Sequence, residues 1–305
     1  MPKLHVNGVD LYYEESGDPA GPALLLIMGL GTQHIAWPEP FVAALVDAGF
    51  RVIRYDNRDI GESTYLHGAT TVSPVVAIIA ARLGLRFPLA YSLADMAADA
   101  TGLLDALNIP AAHIVGVSMG GMIAQRVAIA APDRVLSLTS IMSSSGAHGL
   151  PGPSPELRKR LIAKRPANPD REWAVTAGAM LLEMIGHPDP ARDPGAYRAL
   201  AAEAFDRGYN PLGVRRQMLA ILADRTRAVA LPRITAPTLV IHGAADPLVP
   251  MACSEDIARR IPGARIVIIP QMAHDLPPSK LDQVTGLIID HARSASDGGQ
   301  RAAAA

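Results

Sequence analysis

The sequence predicts an α/β protein: a mostly parallel sheet of eight strands with helices on both faces, interrupted by a helical insertion. Three observations predict it. Strand-length apolar runs alternate with segments of helical period from residue 23 to 141, and again from residue 238 to 292. Between them, over residues 144–233, Pro-rich turns separate helical runs and no stretch reads convincingly as a strand. One apolar run, His113–Val117, passes straight into a helical segment through Gly116-Val117-Ser118-Met119-Gly120. Buried strands joined by helical crossovers imply parallel pairing. Functional residues are then expected at the carboxyl ends of the strands.

Taken in order, Leu4–Val6 and Leu11–Glu15 flank "NGVD" and read as a hairpin. Ala23–Met28 is apolar throughout, as a strand buried on both faces requires. "WPEPFVAALVDAG" is a helix with Pro near its start and Gly49 near its end, and Phe50–Tyr55 is the next strand. "VSPVVAIIAARLGLRF" reads as a short helix over the site with unclear caps. "SLADMAADATGLLDALNI" is a helix opened by a capping box, Ser92 with Asp95 three positions on. Gly120–Ala131 is a helix closed by Pro132, and Val135–Ile141 a strand. After the insertion come strand Thr238–His242, helix Met251–Ile261, strand Arg265–Ile269 and helix Leu281–Ala292. The expected organisation is a body of residues 1–143 and 234–293, a cap of residues 144–233 and a frayed tail of residues 294–305.

Composition narrows the function classes. The formal net charge of -1 does not mark a nucleic-acid surface. Cys253 is the sole cysteine, so neither an intramolecular disulfide nor a thiolate metal cluster is expected. The first residues read as strand and turn rather than a secretory signal, and the longest apolar runs are strand length. The expectation is a cytoplasmic protein, monomeric or homodimeric, with a small-molecule partner and no nucleic acid, membrane, metal or organic cofactor.

Ser118 stands where a strand meets a helix without a loop. Such a turn strains the serine backbone and leaves no room for side chains two positions away, where Gly116 and Gly120 stand. A nucleophilic serine needs a base, and the base an orienting acid. Of nine histidines, His274 follows the last strand in "IIPQMAHDLP". His5 and His113 lie at strand starts, His291 is in the terminal helix, and His67, His148 and His187 fall in loop or insertion. His242 ends a strand but precedes Gly243, and is expected to pack or line a wall. Asp246, in "LVIHGAADPLVP", lies just past the preceding strand with Pro247 and Pro250 stiffening its loop. Asp256 is expected on a solvated helix face, and Asp275, adjacent to His274, is poorly placed to orient it. The order Ser118, Asp246, His274 is nucleophile, acid, base. The N–H groups of Met119 and of Leu30, in "IMGLGTQHIAW", are the candidate oxyanion donors. The third glycine of a dinucleotide loop and the Lys-Ser/Thr of a phosphate loop are missing there.

The motifs "LLLIMGLG", "VIRYDNRDIGEST", "HIVGVSMGGMIAQ", "PTLVIHGAADPLVP" and "MAHDLP" span Leu24 to Pro277. Together they resemble the α/β-hydrolase fold, and within it the branch that includes the aclacinomycin methyl ester esterases. The resemblance implies Ser118 as nucleophile, His274 as general base, Asp246 as its partner, and oxyanion donors from Leu30 and Met119. It disfavours the dehalogenase branch, whose nucleophile is a carboxylate. Two departures stand out: Met28-Gly29 replaces the commoner His-Gly, and Asp59 replaces the first Gly of Asp-x-Arg-Gly-x-Gly-x-Ser. Asp56 and Arg58 are expected to tie that loop to the body, and Asp59 to form a salt bridge within it.

The expected activity is hydrolysis of small or medium apolar esters, methyl esters among them, through a serine acyl-enzyme. Met28, Trp37, Met142, Met180 and Met184 are the candidate pocket residues. Two alternatives share the scaffold: a cofactor-free perhydrolase or haloperoxidase-like enzyme or a carbon–carbon bond hydrolase, and a non-enzymatic ligand receptor. The intact set of Ser118, Asp246 and His274 argues against the receptor.

Overall fold

Alternation within single strands sets the layering. In a computed structural model that describes residues 2–69, 71–161 and 169–303, Leu24 and Leu26 face one apolar cluster while Leu25 and Ile27 face another. Successive side chains of a strand point to opposite faces, so an all-apolar run needs cover on both.

Eight strands provide the sheet: β1 (Lys3–Val6), β2 (Val9–Ser16), β3 (Ala23–Ile27), β4 (Arg51–Tyr55), β5 (Ala112–Val117), β6 (Val135–Ile141), β7 (Thr238–Gly243) and β8 (Arg265–Ile269). Their order is β1-β2-β4-β3-β5-β6-β7-β8. The pairings of β1 with β2 and of β2 with β4 are antiparallel; the rest are parallel. Asn7 and Gly8 turn the first hairpin with φ of 48° and 78°, the left-handed pair that a two-residue loop favours.

Helices α1 (Glu39–Asp47) and α11 (Leu281–Ala303) cover one face, through Phe41, Leu45, Val284 and Ile288. The other face is covered by α3 (Leu93–Ala106), α4 (Met119–Ala130) and α10 (Met251–Arg260), through Leu103, Leu104, Ile123, Val127 and Ile257. Helix α3 opens on the expected capping box: the Ser92 N–H donates to Asp95 Oδ2 at 2.7 Å, and the Asp95 N–H to Ser92 Oγ at 3.3 Å. Helix α11 continues to Ala303, where a frayed tail from residue 294 is expected from the sequence.

Among the described residues between β6 and β7 there are helices and turns but no strand: α5 (Pro155–Leu161), α6 (Arg171–Ile185), α7 (Ala196–Arg207), α8 (Pro211–Ala223) and α9 (Arg227–Ala230). Helix α2 (Pro74–Arg82) packs on α8 and leaves Val75, Val76 and Ile79 exposed. Ion pairs seat the insertion on the body. Arg207 of α7 reaches Asp56 at 3.0 Å, Arg216 of α8 meets both oxygens of Asp59, and Arg192 meets Asp275 at 2.5 Å. Among the described residues, no helix is long and apolar enough to cross a membrane.

Candidate active site

The turn at Ser118 is strained in the expected way. Its backbone has φ 56° and ψ −119°, in a chain that runs from β5 into α4 with no residue to spare. A non-glycine residue at positive φ costs of order 1–3 kcal/mol and persists only where its surroundings hold it. Here the Ser118 N–H donates to Ile141 O at 2.9 Å, and the Ser143 hydroxyl donates to Ser118 O at 2.7 Å. A Cβ at position 116 would overlap the Gly120 carbonyl, and one at position 120 would overlap the Ile27 carbonyl. Both glycines are therefore required by the packing of α4 against β5 and β3.

Asp246 and His274 occupy adjacent strand ends. The Ala244 N–H donates to Ile269 O and the Ala245 N–H to Met272 O, both at 3.0 Å, which joins the loop after β7 to the loop after β8. Asp246 Oδ1 accepts the N–H groups of Leu248 and Val249, each at 2.8 Å, and Oδ2 faces His274 Nδ1 at 2.7 Å. A carboxylate only accepts, so Nδ1 carries the proton and Nε2 presents its lone pair. The His274 N–H donates to Ile185 O at 2.9 Å, so the end of α6 holds the loop after β8. The structure thus joins Asp246 to His274 and sets Ser118 at the same sheet edge. Among the described residues no hydrogen bond links Ser118 Oγ to the ring. Catalytic hydrogen bonds are often long before substrate arrives.

His242 packs, as expected. Its side chain is wholly buried, Nδ1 meets Ser254 Oγ at 2.7 Å, and Nε2 lies 3.8 Å from Asp246 Oδ2. Burial pushes its pKa down, and the opposing pull of Asp246 does not reverse that. A neutral His242 leaves the Asp246 charge to His274.

On the other side of Ser118, Gly29 lies close enough that a Cβ there would sit 3.2 Å from Ser118 Cβ. Neither the Leu30 N–H nor the Met119 N–H finds an acceptor among the described residues. The Gly31 N–H donates instead to Gln217 Oε1 of α8 at 2.9 Å.

Several expectations need correction. Trp37 is not a pocket residue: it is fully buried and stacks on Phe41 with ring centroids 5.2 Å apart. A short helical turn, His34–Ala36, separates Trp37 from the Leu30 loop, and Trp37 packs in the cluster with Leu24, Leu26 and Phe41. Met28 and Met142 are almost fully buried in the same cluster, while Met180 and Met184 on α6 are exposed. Asp256 is buried rather than solvated, and takes Ser145, Arg259 and Arg260 as partners. Asp59 pairs outside its own loop, with Arg216. Burial raises its pKa, but hydrogen bonds from Arg216 and the Leu66 N–H outweigh this and hold the carboxyl below its ordinary value.

Two features carry no local signal in the sequence. His34 is buried, its Nδ1 2.8 Å from Asp56 and its Nε2 3.3 Å from Glu14. Gln217 is buried and bridges two body loops.

Comparison with known proteins follows the same lines. The family model described as alpha/beta hydrolase fold matches residues 22–280. Rhodomycin D methylesterase DnrP of Streptomyces peucetius is 33% identical, over 94% of this chain and 96% of its own. Among solved structures, the enol-lactonase of Burkholderia xenovorans LB400 superposes with a TM-score of 0.71 at 24% identity, covering 95% of this chain and 99% of that one. The meta-cleavage product hydrolase of Pseudomonas fluorescens IP01 gives 0.73 at 20% identity, covering 97% and 98%. At those identities the two structures speak for the fold alone.

Proposed function

The chain belongs to the alpha/beta hydrolase fold family, and on that premise we propose that it hydrolyses carboxylic esters through an acyl-enzyme on Ser118. The observation that carries this reading is the 2.7 Å contact of His274 Nδ1 with Asp246 at the sheet edge where Ser118 stands in its strained turn. His274 Nε2 takes the Ser118 proton as Oγ attacks the ester carbonyl. Asp246 fixes the tautomer and stabilises the imidazolium. The N–H groups of Leu30 and Met119 stabilise the oxyanion, the latter helped by the start of α4. Collapse of the tetrahedral intermediate breaks the bond to the alkoxy group, which leaves as the alcohol with the proton from His274. Water, deprotonated by the same ring, then attacks the acyl-enzyme and restores Ser118.

The helical insertion acts as a cap and sets the substrate range, a small or medium apolar ester. The likeness to rhodomycin D methylesterase favours a methyl ester within that class. Ser118→Ala is expected to reduce hydrolysis of a p-nitrophenyl ester by roughly 10³-fold or more while leaving the melting temperature in place. Labelling by a fluorophosphonate probe should disappear in the same variant. An unchanged rate, or labelling that survives the substitution, would overturn the assignment. A rate series over acyl-chain length tests the apolar pocket; preference for charged substrates would count against it.

A further inference from the structure

The β3–α1 loop carries a proposed oxyanion donor, yet its shape is held from the insertion. Helix α8 turns a single face, Gly213, Val214, Arg216 and Gln217, toward two body loops. A Cβ on Gly213 would overlap the Asp59 carbonyl, and one on Gly31 would sit 3.1 Å from Val214. Arg216 holds Asp59 through both carboxylate oxygens, at 2.8 and 2.7 Å. Gln217, fully buried, accepts the Gly31 N–H at 2.9 Å and donates Nε2 to the Arg58 carbonyl at 2.9 Å. An N–H only donates and a carbonyl only accepts, so these two partners permit one orientation of the amide.

The consequence falls on Leu30. The peptide joining Leu30 to Gly31 is held at both ends: its N–H by Gln217, and its C=O by the Thr32 hydroxyl at 3.2 Å. The preceding peptide, whose N–H belongs to Leu30, has its C=O on the Thr32 N–H at 3.3 Å. Leu30 thus lies between two restrained peptide planes, and its own N–H is the one left without an acceptor among the described residues.

We propose that Gln217 is a positioning residue for ester hydrolysis: from the insertion, it orients the β3–α1 loop so that the Leu30 N–H is presented to the oxyanion. This rests on the esterase reading above. It differs from a substrate-contacting role, because Gln217 spends both ends of its amide on backbone.

The test uses Gln217→Leu, which removes both bonds, and Gln217→Glu, which keeps an acceptor for the Gly31 N–H. Losing one oxyanion donor lowers kcat by about 10²–10³-fold in serine hydrolases, and a displaced donor should approach the lower end. Gln217→Leu is therefore expected to lower kcat on a p-nitrophenyl ester by about 10²-fold with KM within about twofold. Affinity for phenylboronic acid, which forms a tetrahedral adduct on the serine, should fall in parallel. Gln217→Glu should retain most of both while its buried carboxyl is protonated and donates to the Arg58 carbonyl, and lose them as it ionises. Amide hydrogen exchange over residues 29–33 should rise in the Leu variant, and this readout holds whether or not esters are the substrate. If the wild-type protein neither hydrolyses esters nor takes the fluorophosphonate, the esterase reading falls and exchange alone decides whether Gln217 holds the loop. Unchanged kcat, boronate affinity and exchange would overturn the proposal. So would a rise in KM alone, which marks a pocket residue. Where the Leu variant does not fold, Gln217→Met, which also removes both bonds and changes the volume little, is read the same way.

Discussion

The body and the insertion of this chain are held by different forces. The body buries its strands between two apolar layers, and β3 shows no fully exposed position along its length. The insertion leaves Met180, Met184, Leu212 and Val229 exposed; it buries Ala220 and Leu231 in the body's apolar cluster and adds charged contacts from Arg192, Arg207 and Arg216 to Asp275, Asp56 and Asp59. Apolar burial is strong and nearly non-directional. Partly or fully buried ion pairs add little net stability over an apolar replacement, because desolvation offsets their attraction, but they require one geometry. The contrast teaches that the body supplies stability and the insertion's contacts supply position, which is what a loop carrying a hydrogen-bond donor needs.

Variants at three sites break or sharpen that contrast. Trp37→Ala, in the body, is expected to cost about 3–5 kcal/mol in urea unfolding. Its acyl-chain preference should stay unaltered; a changed preference would return Trp37 to the pocket. Arg216→Met strands a buried carboxylate at Asp59 and is expected to cost about 3 kcal/mol. The double variant Asp59→Asn/Arg216→Met should regain most of that stability without regaining activity. Recovery of both together would make the pair a stabiliser rather than a locator.

The third site is His113 at the start of β5. Burial, with a smaller contribution from His291, pushes its pKa from 6.5 down to about 4. The unfolded chain binds this proton first as pH falls. The associated stability is therefore complete above about pH 6.5 and is lost progressively down to about pH 4, by up to about 3 kcal/mol. Melting temperatures measured from pH 7 to pH 4 should fall less steeply in His113→Gln than in the wild-type protein. Parallel slopes would show that other groups govern acid sensitivity.

The same contrast explains what could be read from the sequence. The Asn7-Gly8 hairpin, the Ser92–Asp95 capping box and the all-apolar strands have local signatures, set by turn geometry or by a period of two or 3.6 residues. The placement of Ser118, Asp246 and His274 at one edge of the sheet was legible because each follows a recognisable strand. Trp37 misled because it is near the Leu30 loop in sequence, whereas the helical turn His34–Ala36 intervenes and its ring packs on Phe41 in the core. Asp256 misled because an acid in a helix is usually solvated, and its partner Ser145 lies 111 positions away. Gln217 meets Gly31 across 186 positions. Contacts of that span leave no local period, and a lone Gln or Asp in a helix carries no mark of them.

The pairs between Arg192, Arg207 and Arg216 and their carboxylates also bear on protein engineering. They make the helical segment a poor candidate for exchange as a cassette. A chimera that imports another insertion onto this body would leave Asp56, Asp59 and Asp275 without their guanidinium partners, and the Gly31 amide without its acceptor. Grafting in either direction would have to carry both halves of each contact, so the transferable unit is the insertion together with the residues 29–32, 56–59 and 273–275 on which it stands.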